Sequence, residues 1–97
     1  MIYGFHPEAL DEFDKAAAYY AERQPGLQVR FIDAVEHAIS RACDAPERFR
    51  RFDGEIRRVL VHVFPYAVLY TIGEGVIHII AVMHCSREPG YWKKRTK

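Results

Sequence analysis

The closing part of this 97-residue chain carries most of the side chains that could do chemistry. Downstream of a β-branched run lie the basic and aromatic residues Arg87, Tyr91, Trp92, Lys93, Lys94 and Arg95. Guanidinium and ammonium groups bind phosphates, and aromatic rings stack on nucleic-acid bases. The same pattern is typical of a solvated basic carboxy terminus, so sequence chemistry alone leaves both interpretations open.

Arginines upstream extend the basic character. Arg57 and Arg58 begin the β-branched region, and Arg51 belongs to a loop in which cations alternate with aromatic residues. Such a loop is also typical of a solvated charge run. We take as candidate target-binding residues Arg57, Arg58, His84, Arg87, Tyr91, Trp92, Lys93, Lys94 and Arg95.

Any catalysis would depend on arginine, lysine, histidine and tyrosine side chains. The second half of the chain has no glycine-rich phosphate loop, no nucleophile elbow and no paired carboxylates. The residue types present suit cleavage of RNA through its own 2′-hydroxyl, with one side chain as base, another as acid and arginines on the charged phosphorane. His84 is the candidate acid or base because a histidine changes its charge near neutral pH, although a structural histidine at a strand end fits as well.

The histidines do not predict a metal site. His78 and His84 lie six residues apart on one predicted strand, which separates them by roughly 20 Å at the usual rise per residue. His62 could pair with one of them across strands, but no third ligand is evident. We therefore expect no metal ion and no cofactor.

The net charge of +1 conceals an uneven distribution. Acidic residues outnumber basic ones up to Glu47, and the reverse holds from Arg48 onward. A basic half favours an anionic partner, either nucleic acid or an acidic peptide. No run is apolar enough for a membrane helix, and Cys43 and Cys85 have no metal-ligand spacing, so we expect a cytoplasmic protein with reduced thiols and no membrane partner.

The first half of the chain predicts a strand and two amphipathic helices. Ile2–Phe5 is a short apolar run, and His6-Pro7 begins a helix with proline at its first position. One apolar stripe recurs at intervals of three and four and comprises Leu10, Phe13, Ala17 and Tyr20. After the break at Gln24-Pro25-Gly26, a second stripe comprises Leu27, Phe31, Val35, Ala38, Ile39 and Ala42. Each helix has one stripe to bury, so the hairpin is expected to pack on a sheet.

The second half predicts an antiparallel meander. Three β-branched and aromatic runs extend over 56–66, 67–70 and 76–84, separated by Phe64-Pro65 and by Gly73-Glu74-Gly75. The segment 47–54 before them is neither helical nor alternating, and its Asp-Gly marks a turn. The order strand, helix, helix, strand, strand, strand predicts a single α+β domain over 1–97, with the helices on one mostly antiparallel sheet. The edge at which the first strand joins stays open.

An ordered set of residues resembles the RelE/ParE toxin superfamily, nearest its ParE-like branch of plasmid-stabilisation proteins. The set comprises His6-Pro7-Glu8-Ala9, Tyr19-Tyr20, Phe31, Pro46, Ile56-Arg57-Arg58, Phe64-Pro65-Tyr66, Tyr70, Ile79, Ala81-Val82, His84, Arg87, Pro89 and Tyr91-Trp92. The resemblance covers nearly the whole chain and implies the element order predicted above. It also implies a toxin of a type II toxin-antitoxin module, neutralised by a cognate antitoxin whose acidic and apolar segment wraps the helices and sheet.

The superfamily implies two modes of action. RelE-like members cleave mRNA on the ribosome, and ParE-like members inhibit DNA gyrase without chemistry of their own. RNase members commonly show Tyr-Arg-Leu-Val-Tyr where this chain has Tyr66-Ala67-Val68-Leu69-Tyr70, so Ala67 replaces an active-site arginine. Losing one such electrostatic donor typically lowers the rate on the order of 10²-fold or more.

We therefore predict a ParE-like toxin that binds its target, DNA gyrase, without being an enzyme, in a hetero-oligomer with its antitoxin. The alternative is an endoribonuclease acting on ribosome-bound mRNA. Its candidate catalytic residues would be Arg51, His84, Arg87 and Tyr91.

Overall fold

Two helices pack on one face of a five-stranded sheet in the computed structural model, which describes residues 1–96. The strand–helix–helix–strand order and the α+β class are confirmed. In chain order the elements are β1 (Ile2–Phe5), α1 (Pro7–Arg23), α2 (Leu27–Asp44), a 3₁₀ turn (Pro46–Arg48), β2 (Arg51–Asp53), β3 (Ile56–Leu60), β4 (Tyr66–Gly73), β5 (Val76–His84) and a second 3₁₀ turn (Lys93–Thr96). No helix within 1–96 is long and apolar enough to cross a membrane.

The sheet has the strand order β1-β5-β4-β3-β2. β1 joins at the edge beside β5 and runs parallel to it, from Ile2 opposite Val76 to Phe5 opposite Ile79. The other three pairings are antiparallel. The hairpin that joins β4 to β5 turns at Glu74 and Gly75, whose φ angles of 37° and 80° fit the type I′ geometry favoured in two-residue hairpins.

Two segments differ from the predicted meander. Arg51–Asp53, predicted as irregular loop, forms the short strand β2, because the turn at Gly54 folds the chain back and the Arg58 N–H donates to the Arg50 carbonyl at 3.1 Å. β3 ends at Leu60, well before Phe64, since the backbone there turns through Val63, which has a φ of 76°.

The inner face of the sheet meets the predicted helical stripes. On α2, Phe31 and Val35 are fully buried, as predicted. On α1 the buried residues are Ala9, Ala16 and Ala17, whose small side chains let the helix lie close to the sheet. The prediction for Leu10 is wrong: it is 44% exposed, because Ala9 occupies the buried position beside it.

The outer face of the sheet has a smaller apolar cluster of its own. Its buried members are Ile56, Ala67, Leu69, Ile80, Ala81, Met83 and Trp92. A bulge in β5 opposite Leu69 and Tyr70 leaves Ile80 out of the register, so that Ile80 and Ala81 both join this cluster. The segment that follows β5 crosses this face and closes it with the Trp92 side chain.

Candidate target-binding site at the end of the last strand

Beyond β1, the edge of β5 continues without a neighbouring strand. β1 pairs only as far as Ile79, whereas β5 runs on to His84. Along this part of β5 a side chain, not a neighbouring strand, accepts a backbone hydrogen bond. The Val82 N–H donates to Glu12 Oε1 at 2.9 Å. A carboxylate on α1 therefore satisfies a donor that a strand would otherwise satisfy.

Arg95 completes this edge from the carboxy-terminal segment. Its Nη1 and Nη2 donate to the two oxygens of Glu12 at 3.0 and 3.1 Å, and Nη1 also donates to the Ile80 carbonyl at 3.0 Å. Nε donates to Glu8 Oε1 at 3.0 Å. The Arg95 side chain is 9% exposed and that of Glu12 is 14% exposed. Burial opposes the charged form of Arg95, but the hydrogen bonds and charges of Glu12 and Glu8 outweigh it and raise the arginine's pKa.

Arg95, which was predicted as a target-binding residue, is held in an internal ion pair with Glu12. Glu12, which the sequence did not single out, is the centre of the site. No local pattern reveals it, because its ligand lies 83 residues away in the sequence.

Trp92 is likewise a structural residue. It is 1% exposed and packs between Phe52 and Tyr91, with ring centroids 5.5 and 5.3 Å away. Trp92 was predicted as a target-binding residue, and the structure buries its ring in the outer apolar cluster. Trp92 has the largest side chain of the segment that follows β5, and it shields the apolar residues of the outer face from water.

Arg87 is a cation that this site presents to solvent. Its side chain is 55% exposed, its guanidinium carbon lies 3.7 Å from the centroid of the Tyr91 ring, and Nη1 lies 3.8 Å from Glu12 Oε2. The Tyr91 hydroxyl is buried and has no hydrogen bond of good geometry among residues 1–96. Burial first, and the negative charge of Glu12 second, raise the pKa of Tyr91. Tyr91 is thus a neutral platform that orients Arg87.

His84 completes a shallow concavity beside this pair. Its Nδ1 accepts a hydrogen bond from the Ser86 N–H at 3.0 Å, so the neutral ring carries its proton on Nε2. The ring meets Tyr66 edge-to-face at 5.1 Å. The concavity has a volume of about 290 Å³ and is lined by Glu12, Lys15, Ala16, Tyr19, Tyr66, Val82, His84, Arg87 and Tyr91.

The structure brings together His84, Arg87 and Tyr91, but not Arg51. Arg51 lies on β2, where its Nη2 is 3.8 Å from Glu55 Oε1, and it does not line the concavity. The residue set of the nuclease alternative is therefore divided between two places.

The remaining residues predicted to bind the target lie in different parts of the structure. Arg57 points to the helical side and donates to the carbonyls of Glu47 and Phe49 at 3.2 and 2.7 Å, which fixes the 3₁₀ turn. Lys93 Nζ is 3.7 Å from Asp53 Oδ2, and Lys94 is exposed. Arg58 is on the outer side, over the ring of Phe52. No group of three metal-ligating side chains within 1–96 is close enough to hold an ion.

Ala67 lies fully buried in the outer apolar cluster. It pairs with Leu60 on β3 and with Met83 on β5, and Trp92 closes the cluster. The other buried members of that cluster are apolar or aromatic. The position therefore has no charged group with which to act on a phosphate.

The known proteins that this chain resembles are all toxins or toxin-antitoxin systems. A family model described as the ParE toxin of the type II toxin-antitoxin system, parDE, matches residues 3–89. A relative named Toxin RelE2, from Caulobacter vibrioides, is 27% identical over 79 residues, which is 81% of this chain and 89% of the relative. A solved structure described as the chromosomal ParDE TA system from P. aeruginosa superposes with a TM-score of 0.75 at 10% identity, over 87% of this chain and 95% of that one. The last likeness is one of fold.

Proposed function

The chain belongs to the family of ParE toxins of type II toxin-antitoxin systems, and from that premise we propose that it stops growth by binding DNA gyrase in the cytoplasm. Binding alone would be its mode of action. The family membership supports a toxin.

The buried Ala67 is the observation that carries the binding mode. An RNase of this fold needs a guanidinium aimed at the scissile phosphate, where charge develops in the transition state. Here that position is an alanine with no exposure, surrounded by Leu69, Met83 and Trp92. A substrate would have to displace the Trp92 cover before it reached that face.

The surface around Arg87 is the candidate contact with the target. Arginine, with tyrosine, is enriched among the residues that dominate interface energies. Arg87 is oriented by Tyr91 and Glu12, so little side-chain entropy is lost when a partner binds it. We expect Arg87→Ala to lower affinity for gyrase by about 2 kcal/mol, or roughly 30-fold.

Inhibition of DNA supercoiling by purified gyrase tests this proposal directly. The wild-type protein should inhibit, Arg87→Ala should need roughly 30-fold more protein, and the matched control Arg48→Ala should inhibit like the wild type. Arg48 is another exposed arginine, on the 3₁₀ turn. No inhibition by a wild-type protein that is toxic in cells would refute gyrase as the target.

A cognate antitoxin is the second partner that we propose. The chromosomal ParDE structure is that of a toxin-antitoxin system, and the basic second half of this chain suits an acidic partner. A neighbouring gene should encode a small protein with an acidic and apolar carboxy-terminal region. Coexpression of the two should restore growth and yield a hetero-oligomer on copurification; separate elution with continued growth arrest would exclude that partner.

Two observations favour a second function, ribosome-dependent mRNA cleavage. His84, Arg87 and Tyr91 share one concavity, and one relative carries the name Toxin RelE2. Primer extension on RNA from cells expressing the toxin separates the two functions. Discrete cuts in message before growth stops would refute the binding model, and intact message with arrested DNA replication would refute the nuclease.

A further inference from the structure

A cavity of about 560 Å³ lies between α2 and the loop that joins β3 to β4. Its first wall is a stripe of α2 that runs from Arg30 to Arg41 at helical intervals, and its second wall is the loop segment 62–64. This volume is within the range of sites that bind small organic molecules. The cavity shares no lining residue with the concavity around Arg87, so the target-binding site proposed above leaves it without a role.

Hydrogen bonds and one aromatic ring hold the loop wall in place. The Val61 N–H donates to the Tyr66 carbonyl at 2.9 Å, and the Tyr66 N–H donates to the Phe64 carbonyl at 2.8 Å. The Phe64 ring packs edge-to-face against two rings of the helices, with centroids 5.0 and 5.2 Å away. Arg41 Nη2 donates to the Leu60 carbonyl at 2.8 Å, which ties α2 to the end of β3. Both walls are therefore fixed before a ligand arrives, and little entropy is lost on binding.

Val63 lines the cavity in a backbone conformation that its side chain disfavours. Its φ is 76°, in the left-handed region that β-branched residues rarely adopt. The residue is 76% exposed, so burial in the core does not account for this conformation. Strained residues of this kind cluster at ligand-binding sites. The exposed methyl groups of Val63 are available to the apolar part of a ligand.

Positive charge predominates among the side chains that line the cavity. Arg30 and Arg41 add two guanidinium groups from the α2 wall, and Asp33 adds a carboxylate. Within 1–96 none of these three residues forms an ion pair. His37 and His62 add imidazoles, each of which offers an N–H donor whether it is neutral or charged. With both imidazoles neutral the lining has a net charge of +1, which a ligand with a single negative charge balances.

We propose that this cavity binds a small organic monocarboxylate with an apolar body, of which a medium-chain fatty acid is one example. Guanidinium groups match a carboxylate with paired, charge-assisted hydrogen bonds. Arg30 and the remaining donors of Arg41 supply these bonds, and the apolar body contacts the apolar part of the lining, which comprises Ala34, Val63 and Phe64. A phosphate group has no apolar body and would leave that part of the lining unused. This inference does not depend on gyrase being the target.

A protein segment fits this cavity less well than a small molecule. A strand added to a sheet needs free backbone groups, and the Leu60 carbonyl at the end of β3 already accepts a hydrogen bond from Arg41. An amphipathic helix needs apolar anchors spread over successive turns, whereas the apolar lining here is limited to Ala34, Val63 and Phe64. A compact ligand with one charged end matches this lining better.

Isothermal titration calorimetry with decanoate, below the concentration at which it forms micelles, tests the charged part of the site. Decanoate should bind, and decylamine, which has a chain of equal length and the opposite charge, should not. Arg30→Gln should weaken decanoate binding by about tenfold, because it removes a charge-assisted hydrogen bond. The matched control Arg48→Gln changes an exposed arginine outside the cavity and should bind decanoate like the wild type. Equal affinities of the wild type and Arg30→Gln would overturn the proposal, as would equal binding of decylamine.

A second variant tests the apolar part of the site. Ala34→Leu places a larger side chain in the cavity and keeps a good helix former on α2, so decanoate binding should be lost. Unchanged decanoate binding in Ala34→Leu, with its melting temperature intact, would overturn the proposal.

Two further ligands separate the proposed occupant from others. Acetate that binds as tightly as decanoate would overturn the proposal in favour of a small-anion site. A peptide of alternating glutamate and leucine that binds where decanoate does not would overturn it in favour of a protein partner. None of these measurements involves gyrase, so the supercoiling result stands or falls separately.

Discussion

Removal of either partner of the Glu12–Arg95 pair should severely destabilise the protein. Both side chains are almost fully withdrawn from water, and together they satisfy the Val82 N–H and the Ile80 carbonyl at the open edge of β5. Breaking a buried ion pair from one side leaves an uncompensated charge and costs about 3–5 kcal/mol. We therefore expect such a loss in Glu12→Leu and in Arg95→Met.

The double variant should be less damaged than the sum of the two. With both charges gone, what remains is one unpaired N–H and one unpaired carbonyl, at about 1–3 kcal/mol each. The expected total of about 2–6 kcal/mol lies below the sum of about 6–10 from the single variants. Glu12→Gln, which keeps an acceptor for Val82, separates the effect of the charge from that of the hydrogen bond.

Urea unfolding followed by circular dichroism measures these differences. For a domain of this size, a loss of 1 kcal/mol lowers the melting temperature by about 4–8 °C, so a thermal melt suffices where the urea transition is too early to fit. Additivity of the two single variants to within about 0.5 kcal/mol would refute the coupling. Wild-type stability in Arg95→Met would refute the ion pair altogether.

Three further predictions concern the core and one turn. Phe31→Ala should lower the free energy of unfolding by about 3–5 kcal/mol, because Phe31 is fully buried among four aromatic rings; an unchanged urea midpoint would contradict its place in the core. Burial raises the pKa of Tyr70 to about 12, against an opposing effect of Arg57. The pKa of Tyr70 is thus higher in the folded protein than in the unfolded chain. The contribution of Tyr70 to the free energy of unfolding is therefore complete below about pH 10 and is lost as the pH rises towards about 12. Tyr70→Phe loses the 2.7 Å hydrogen bond to the Pro46 carbonyl. Free energies of unfolding measured between about pH 10 and 12 should therefore fall less steeply in this variant than in the wild type. An equally steep fall in the variant would assign the pH dependence to other groups. Val63→Gly should leave the melting temperature unchanged or raise it, because Val63 is 76% exposed and holds a left-handed φ that disfavours a β-branched residue; a loss above about 1 kcal/mol would show that its side chain packs in solution.

The fold was predictable because local patterns and tertiary structure agree. The spacing of Phe31 and Val35 identifies the buried side of α2, and Glu74-Gly75 is a turn sequence of the type that the β4–β5 hairpin requires. β2 was missed because its three residues, Arg51–Asp53, are charged or partly exposed and pair only at an edge. A strand that short has no periodicity to recognise.

The candidate site was predictable only in part. Arg87 and Tyr91 stand out as a cation and an aromatic residue just after a strand, and the structure does place them in contact. The same reasoning could not separate Arg87 from Arg95 or Trp92, since composition does not show which side chains become buried. Burial of Arg95 depends on Glu12, and no rule of local spacing connects residues at opposite ends of the chain.

The parallel pairing of β1 with β5 has a consequence for how the protein is made. Synthesis proceeds from the amino terminus, so β1 and α1 emerge long before the strand and the arginine that complete their contacts. Contacts between distant parts of a chain also slow folding, and the Glu12–Arg95 bond spans 83 residues. A nascent chain still lacking residue 95 cannot cap β5 or position Arg87 over a closed surface. The surface around Arg87 therefore forms only after nearly all of the domain has left the ribosome.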